Sequence, residues 1–144
     1  MTQVSRRVLD KRLEGKMYDL LWEAIGESSS TNDIISFFED LLSPTERLML
    51  SKRLAIAFLL VKGYDHRTIS EILKVSSTTV ARVNFWLTHK GQGYRKAINR
   101  LLAKRRLEAF FLQIDEFWTQ MTPKIGRGEH LKEIHRRKRE QTIL

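Results

Sequence analysis

Apolar residues along this chain recur at spacings of three and four, the rhythm of a helical face, and nowhere alternate as a half-buried strand would. Val8 or Leu9, Leu13, Met17, Leu20, Leu21 and Ile25 line one side of a first predicted helix over 4–25. A loop follows from Gly26 to Asn32, where short polar side chains compete with a helix for the backbone. Asn32 or Asp33 then opens a short second helix. Its Ile34, Ile35, Phe37, Phe38, Leu41 and Leu42 are apolar on more than one side, so it is buried on several faces or is half of an interface. Ser43, Pro44 and Glu46 spell a capping box: an N-cap hydroxyl, a proline at the first helical position, and a carboxylate three residues after the cap. The third helix extends to about Lys62, with Leu50, Leu54, Ala57, Phe58 and Val61 inward and Gly63 as its terminator. Beyond a break at Gly91-Gln92-Gly93, one long helix is predicted from Tyr94 to Met121. It would bury Ile98, Leu101, Leu102, Phe110, Ile114, Phe117, Trp118 and Met121, and it closes at Pro123 and Gly126-Arg127-Gly128. The pattern predicts an all-α domain over residues 1–122 and a basic tail over 123–144 that is too polar to own a core face, with no internal repeats.

Between those parts, residues 65–89 have the layout of a helix-turn-helix, whose second helix enters a major groove. Asp65 can cap the first helix, and Ile69, Ile72 and Leu73 give it an apolar stripe. Ser70 is small enough for a close helix crossing, Val75 plugs the turn, and Ser76 caps the second helix. Val80, Val83 and Leu87 form that helix's buried stripe, which leaves Ser77, Thr78, Ala81, Arg82 and Thr79 toward the outside. These side chains are short or polar enough to meet base edges and phosphates, and the helix carries no acidic residue. Lys74 stands where the turn favours glycine, because that position tends to need positive φ; a lysine there costs on the order of 1 kcal/mol. The competing explanation is an ordinary helical hairpin inside an α-helical core.

Charge sharpens the reading. The 144 residues carry a formal net charge of +9, which points to a polyanionic partner. Residues 1–94 hold 13 Lys and Arg against 11 acids, while residues 95–144 hold 13 against 6. Phosphate affinity and base reading can therefore lie in different regions. In the tail, Arg127, Lys132 and the run Arg136 to Arg139 suit a phosphate-binding arm, a solvated tail, or a contact to an acidic protein. Cysteine is absent, which excludes disulfides, thiolate metal sites and cysteine nucleophiles. Without an apolar run of membrane-spanning length or a signal-peptide pattern, the expectation is a cytoplasmic protein.

Other chemistry finds little footing. His66 and His89 flank the motif, and His130 and His135 are five apart, off the spacing that puts two ligands on one helical face; no metal site is expected. Gly91-Gln92-Gly93 is too short for a phosphate loop. Glu39-Asp40 and Asp115-Glu116 are adjacent pairs that face apart on a helix, so no enzyme activity is expected. Phe110, Phe111, Phe117 and Trp118 could stack nucleobases, but at helical spacing they fit core or interface, as does Trp22.

The stretch LLSPTERLMLSKRLAIAFLLVKGYDHRTISEILKVSSTTVARVNFWL resembles the Trp repressor superfamily, in the capped start, the Arg53 turn, the helix ended at Lys62-Gly63 and the reading segment ending in TVAR. The resemblance covers roughly residues 40–102. It implies an all-helical, intertwined homodimer with a C-terminal helical extension, which binds double-stranded DNA at a palindromic operator and represses transcription. It places His66, Arg67 and Ser70 where family members meet phosphates or bases, and Ser77, Thr78, Ala81 and Arg82 where the recognition helix enters the groove. Arg53 and Arg82 match the two arginines that hold L-tryptophan in the amino-acid-binding members. Those members carry a glycine and a serine where this chain has Val83 and Trp86; the valine narrows the slot for an indole and Trp86 is placed to fill it. The expectation is therefore a regulator without a tryptophan corepressor. The rivals are a protein-interaction module and a non-specific RNA or architectural binder using the basic C-terminal region.

Overall fold

The computed structural model describes residues 7–104 and 107–121, and it is helical throughout them. The chain divides into two compact units, one up to Leu50 and one from Ser51 onward.

The first unit holds α1 (Lys11–Gly26), α2 (Thr31–Leu41) and the start of α3 (Pro44–Lys62). α1 begins later than its apolar pattern predicts, because the Asp10 carboxylate accepts from the backbone N–H groups of Arg12 and Leu13 and sets the first turn there. Val8 and Leu9 consequently lie outside the helix, both exposed. Ser30, not Asn32 or Asp33, caps α2 through the Asp33 N–H. The Ser43–Glu46 box closes as expected: Ser43 N–H donates to the Glu46 carboxylate at 2.9 Å and the Glu46 N–H donates back to Ser43 Oγ at 3.3 Å. Neither α1 nor α2 has a buried residue, so Leu13, Met17, Leu20, Trp22 and Ile35 leave an apolar face uncovered.

The second unit is built on the rest of α3, then α4 (His66–Leu73), α5 (Ser77–His89), α6 (Gln92–Ala103) and α7 (Leu107–Met121). Its core joins Ile56, Ala57, Phe58 and Leu59 of α3 to Tyr64, Ile69, Ile72, Val80, Val83, Ile98 and Phe111. α3 meets its expectation in part: Ala57 and Phe58 are buried as expected, but Leu50, Leu54 and Val61 are exposed, and Ile56 and Leu59 are buried beside Ala57 and Phe58. That half of the helix is apolar all round, so the sequence period carries no phase. Gly63, at φ 97°, ends it.

The long terminal helix is in fact two. Continuing α6 unbroken would bring Arg105 and Glu108 onto the face that buries Ile98 and Leu101, four and seven residues past Leu101. α6 stops at Ala103, and α7 restarts with Phe111 buried rather than Phe117 or Met121, both of which are exposed. Phe110, Ile114 and Trp118 pack on the same core, and the Lys62 ammonium sits 4.3 Å from the Phe111 ring centroid. The basic tail of residues 123–144, with His130 and His135, lies outside the described residues. Among the described residues no helix is long and apolar enough to cross a membrane, and no group of three metal-ligating side chains gathers.

Candidate nucleic-acid interface

The α4–α5 pair is held by local capping at both helix starts. The Asp65 carboxylate accepts from Thr68 N–H at 3.0 Å and from Thr68 Oγ1 at 2.7 Å, which fixes the first turn of α4 and accounts for the burial of Thr68. Lys74 takes the left-handed conformation that the turn requires, φ 51° and ψ 56°. Its N–H closes on the Ser70 carbonyl, and the Lys52 ammonium reaches its carbonyl at 3.4 Å. Ser76 Oγ accepts from Thr79 N–H at 3.1 Å, so α5 starts at Ser77.

Val80, Val83 and Leu87 are buried, which fixes the rotation of α5 about its axis. Ser77, Thr78, Ala81 and Arg82 are exposed on the side turned away from that stripe. His66 and Arg67 are exposed at the first turn of α4; Arg67 Nε holds Glu71 at 3.1 Å, one turn along. Thr79 is half-buried, and its hydroxyl shares a 2.8 Å hydrogen bond with Ser76, which spends it on the cap. Ser70 is half-buried on α4. Its Oγ is buried with no hydrogen-bond partner among the described residues.

The outward face extends further than the motif predicts. Phe85 and His89 continue it at the same three-and-four spacing beyond Thr78, Ala81 and Arg82. Their rings stack at 4.2 Å between centroids, and His89 Nδ1 lies 2.9 Å from the Phe85 carbonyl oxygen. Trp86, beside them, is exposed with the Lys90 ammonium 5.5 Å from its ring. The spacing alone could have found Phe85 and His89; an aromatic residue on a reading helix is more readily assigned to packing.

Of the two arginines proposed for an effector, Arg53 is exposed on α3 and Arg82 is exposed on α5, and no ion pair among the described residues occupies either. Val83 is part of the packed core. This arrangement offers short donors, a methyl, an arginine and an aromatic pair on an acid-free helix, a surface suited to the edges and backbone of a nucleic acid.

Residues 16–102 match the family model described as Trp repressor protein, more than half of the chain. The structure is also similar to the crystal structure of a TrpR-like protein from Eubacterium eligens, with 29% sequence identity and a TM-score of 0.58 over 64% of this chain and 95% of that one. A search of curated proteins finds no match. The matched stretch starts inside α1 and ends within α6, so α7 is an addition beyond it.

Proposed function

The chain belongs to the Trp repressor family, whose members are helix-turn-helix DNA-binding regulators, and from that premise we propose that it is a homodimeric transcriptional repressor of the cytoplasm that reads a palindromic operator. The observation that carries the reading is the outward face of α5: Ser77, Thr78, Ala81 and Arg82 exposed together on a helix with no acid, rigidly phased by three buried apolar residues. Thr78 and Ala81 present methyls suited to thymine, and Arg82 can fork onto a guanine, a contact worth about 1–3 kcal/mol of discrimination. His66 and Arg67 open α4, where the first motif helix crosses the backbone.

A second copy is the natural cover for the first unit. The uncovered apolar residues of α1 and α2 form the kind of face that a two-fold interface buries on both subunits at once. Two copies would present two α5 helices to half-sites about one helical turn, ~34 Å, apart.

Repression here needs no amino-acid corepressor. Val83 fills core space beside Arg82, and Trp86 supplies an indole from the chain itself on the neighbouring side of α5. Sedimentation of the full chain with duplex DNA tests the assembly: two chains per duplex support the reading, and one chain per duplex contradicts it. Calorimetry with L-tryptophan should register no heat and no change in DNA affinity. A monomer without duplex affinity at low salt would favour a protein-interaction module, and equal affinity for every duplex would favour a non-specific binder.

A further inference from the structure

The corner between α5 and α6 is built tightly and carries only one sign of charge. Gly91 is obligatory there: a Cβ at that position would lie 2.4 Å from the Leu87 carbonyl oxygen. Arg95 reaches back across the corner, its guanidinium 3.4 Å from the same oxygen. Between the two helices lies an open cleft of about 540 Å³ lined by Thr88, His89, Lys90, Gln92 and Arg95, among others, with no carboxylate. The basic surface continues up α6. Ile98 is buried and Tyr94 and Leu101 pack beside it, so Lys96, Asn99 and Arg100 stand exposed on the far side of the helix.

The sequence around this corner is unusual in a way that the helical pattern does not require. From Ile72 to Leu107 there is no Asp or Glu, while nine Lys and Arg fall in those 36 residues. Among the described residues no ion pair engages Lys90, Arg95, Lys96 or Arg100. A solvated helix face ordinarily intersperses the two signs, as α1 does with Lys11, Glu14, Lys16 and Asp19. Uncompensated cations repel one another in the free protein and are repaid when a polyanion neutralises them and its counterions leave.

We propose that the α5–α6 cleft and the basic face of α6 form a second contact surface for the sugar-phosphate backbone of duplex DNA, outside the bases read by α5. The inference rests on the DNA-binding reading above and deepens it. Because the contact is to phosphate, it adds affinity for every sequence and no discrimination between them. The cleft adjoins the end of α5 within the same packed unit, so the surface is held next to the reading helix.

The test is a salt series of binding to a mixed-sequence duplex, with the full chain and the triple variant Lys90→Gln, Lys96→Gln, Arg100→Gln. All three side chains are exposed, and retained helical circular dichroism checks the fold. The triple variant should flatten the slope of log K against log salt by about 3, near 0.9 for each lost phosphate contact, with the ratio of specific to mixed-sequence affinity unchanged. Lys96→Gln alone should flatten it by about 0.9 and serves if the triple variant unfolds. An unaltered slope overturns the proposal. So does an equal loss when the same charge is removed from α1 by Lys11→Gln, Arg12→Gln and Lys16→Gln, since net charge would then explain the effect. A change seen with RNA and not with duplex DNA also overturns it. If the unaltered chain binds no duplex even at low salt, the reading of α5 itself falls, and this surface with it.

Discussion

The Tyr64 hydroxyl donates a hydrogen bond to the Asp115 carboxylate, joining the residue just after the glycine that ends α3 to a helix beyond the stretch matched to the family. Tyr64 is buried and its ring belongs to the core that carries α4 and α5. α7 therefore braces the helix-turn-helix from behind, by this bond and by Phe111 beneath the Lys62 ammonium.

The brace gives a first expectation. Phe111→Ala empties a core site and should cost about 3–5 kcal/mol in denaturant unfolding, whereas Tyr64→Phe strands one carboxylate contact and should cost about 1–3 kcal/mol. Losses under 1 kcal/mol for both variants would mean that α7 is not part of the folded unit.

Acid should loosen the start of α3. The Ser43 hydroxyl, and after it the Ser43 N–H, donate to the Glu46 carboxylate and hold its pKa below the usual carboxylate value. The folded-state pKa is thus depressed, so this stabilisation is complete above the unfolded-state pKa and disappears as pH falls through the folded one. Glu46→Gln should remove that portion of the acid dependence from the unfolding profile. Superimposable profiles of the two proteins below pH ~5 would contradict the assignment.

Gly91→Ala should be destabilising by about 1–3 kcal/mol, because the added methyl meets the Leu87 backbone, which cannot swing aside as a side chain end would. Thermal unfolding checks this directly.

How far the sequence foretold these features varies with how local their causes are. α4 and α5 were legible because Asp65, Ser76 and the stripe Val80, Val83, Leu87 are decided within a few residues, and the turn position proved to be left-handed as its place in the motif requires, although Lys74 stands there instead of glycine. The capping box of α3 was legible for the same reason. The rotation of α3 was not: residues 54–61 are all apolar, and only packing in the core shared with Tyr64, Ile69 and Ile98 chooses Ile56 and Leu59 over Leu54 and Val61. The break before α7 was readable in principle from Arg105 and Glu108, but the apolar residues on either side keep a helical spacing that hides the change of phase. Ser70 illustrates a different limit, since whether the hydroxyl of a small polar residue on α4 is buried depends on packing that the local sequence does not spell out. The apolar faces of α1 and α2 were visible from the start, yet among the described residues nothing buries them.

At the reading face, Arg82→Ala should weaken binding to a specific operator by about 1–3 kcal/mol, roughly five- to 150-fold, and relax the preference at one base pair of each half-site. Circular dichroism should be unchanged, because Arg82 is exposed and holds no ion pair among the described residues. Equal affinity of Arg82→Ala and the unaltered chain for the selected site would remove Arg82 from the interface.

Selection of bound fragments from a pool of random duplexes bears most directly on the whole account, because it reports sequence reading and pairing of subunits together. Paired, symmetric copies of α5 predict enrichment of a two-fold symmetric site whose halves lie about one helical turn apart. A pool that stays random after repeated rounds, or an enriched site with no symmetry, would contradict it.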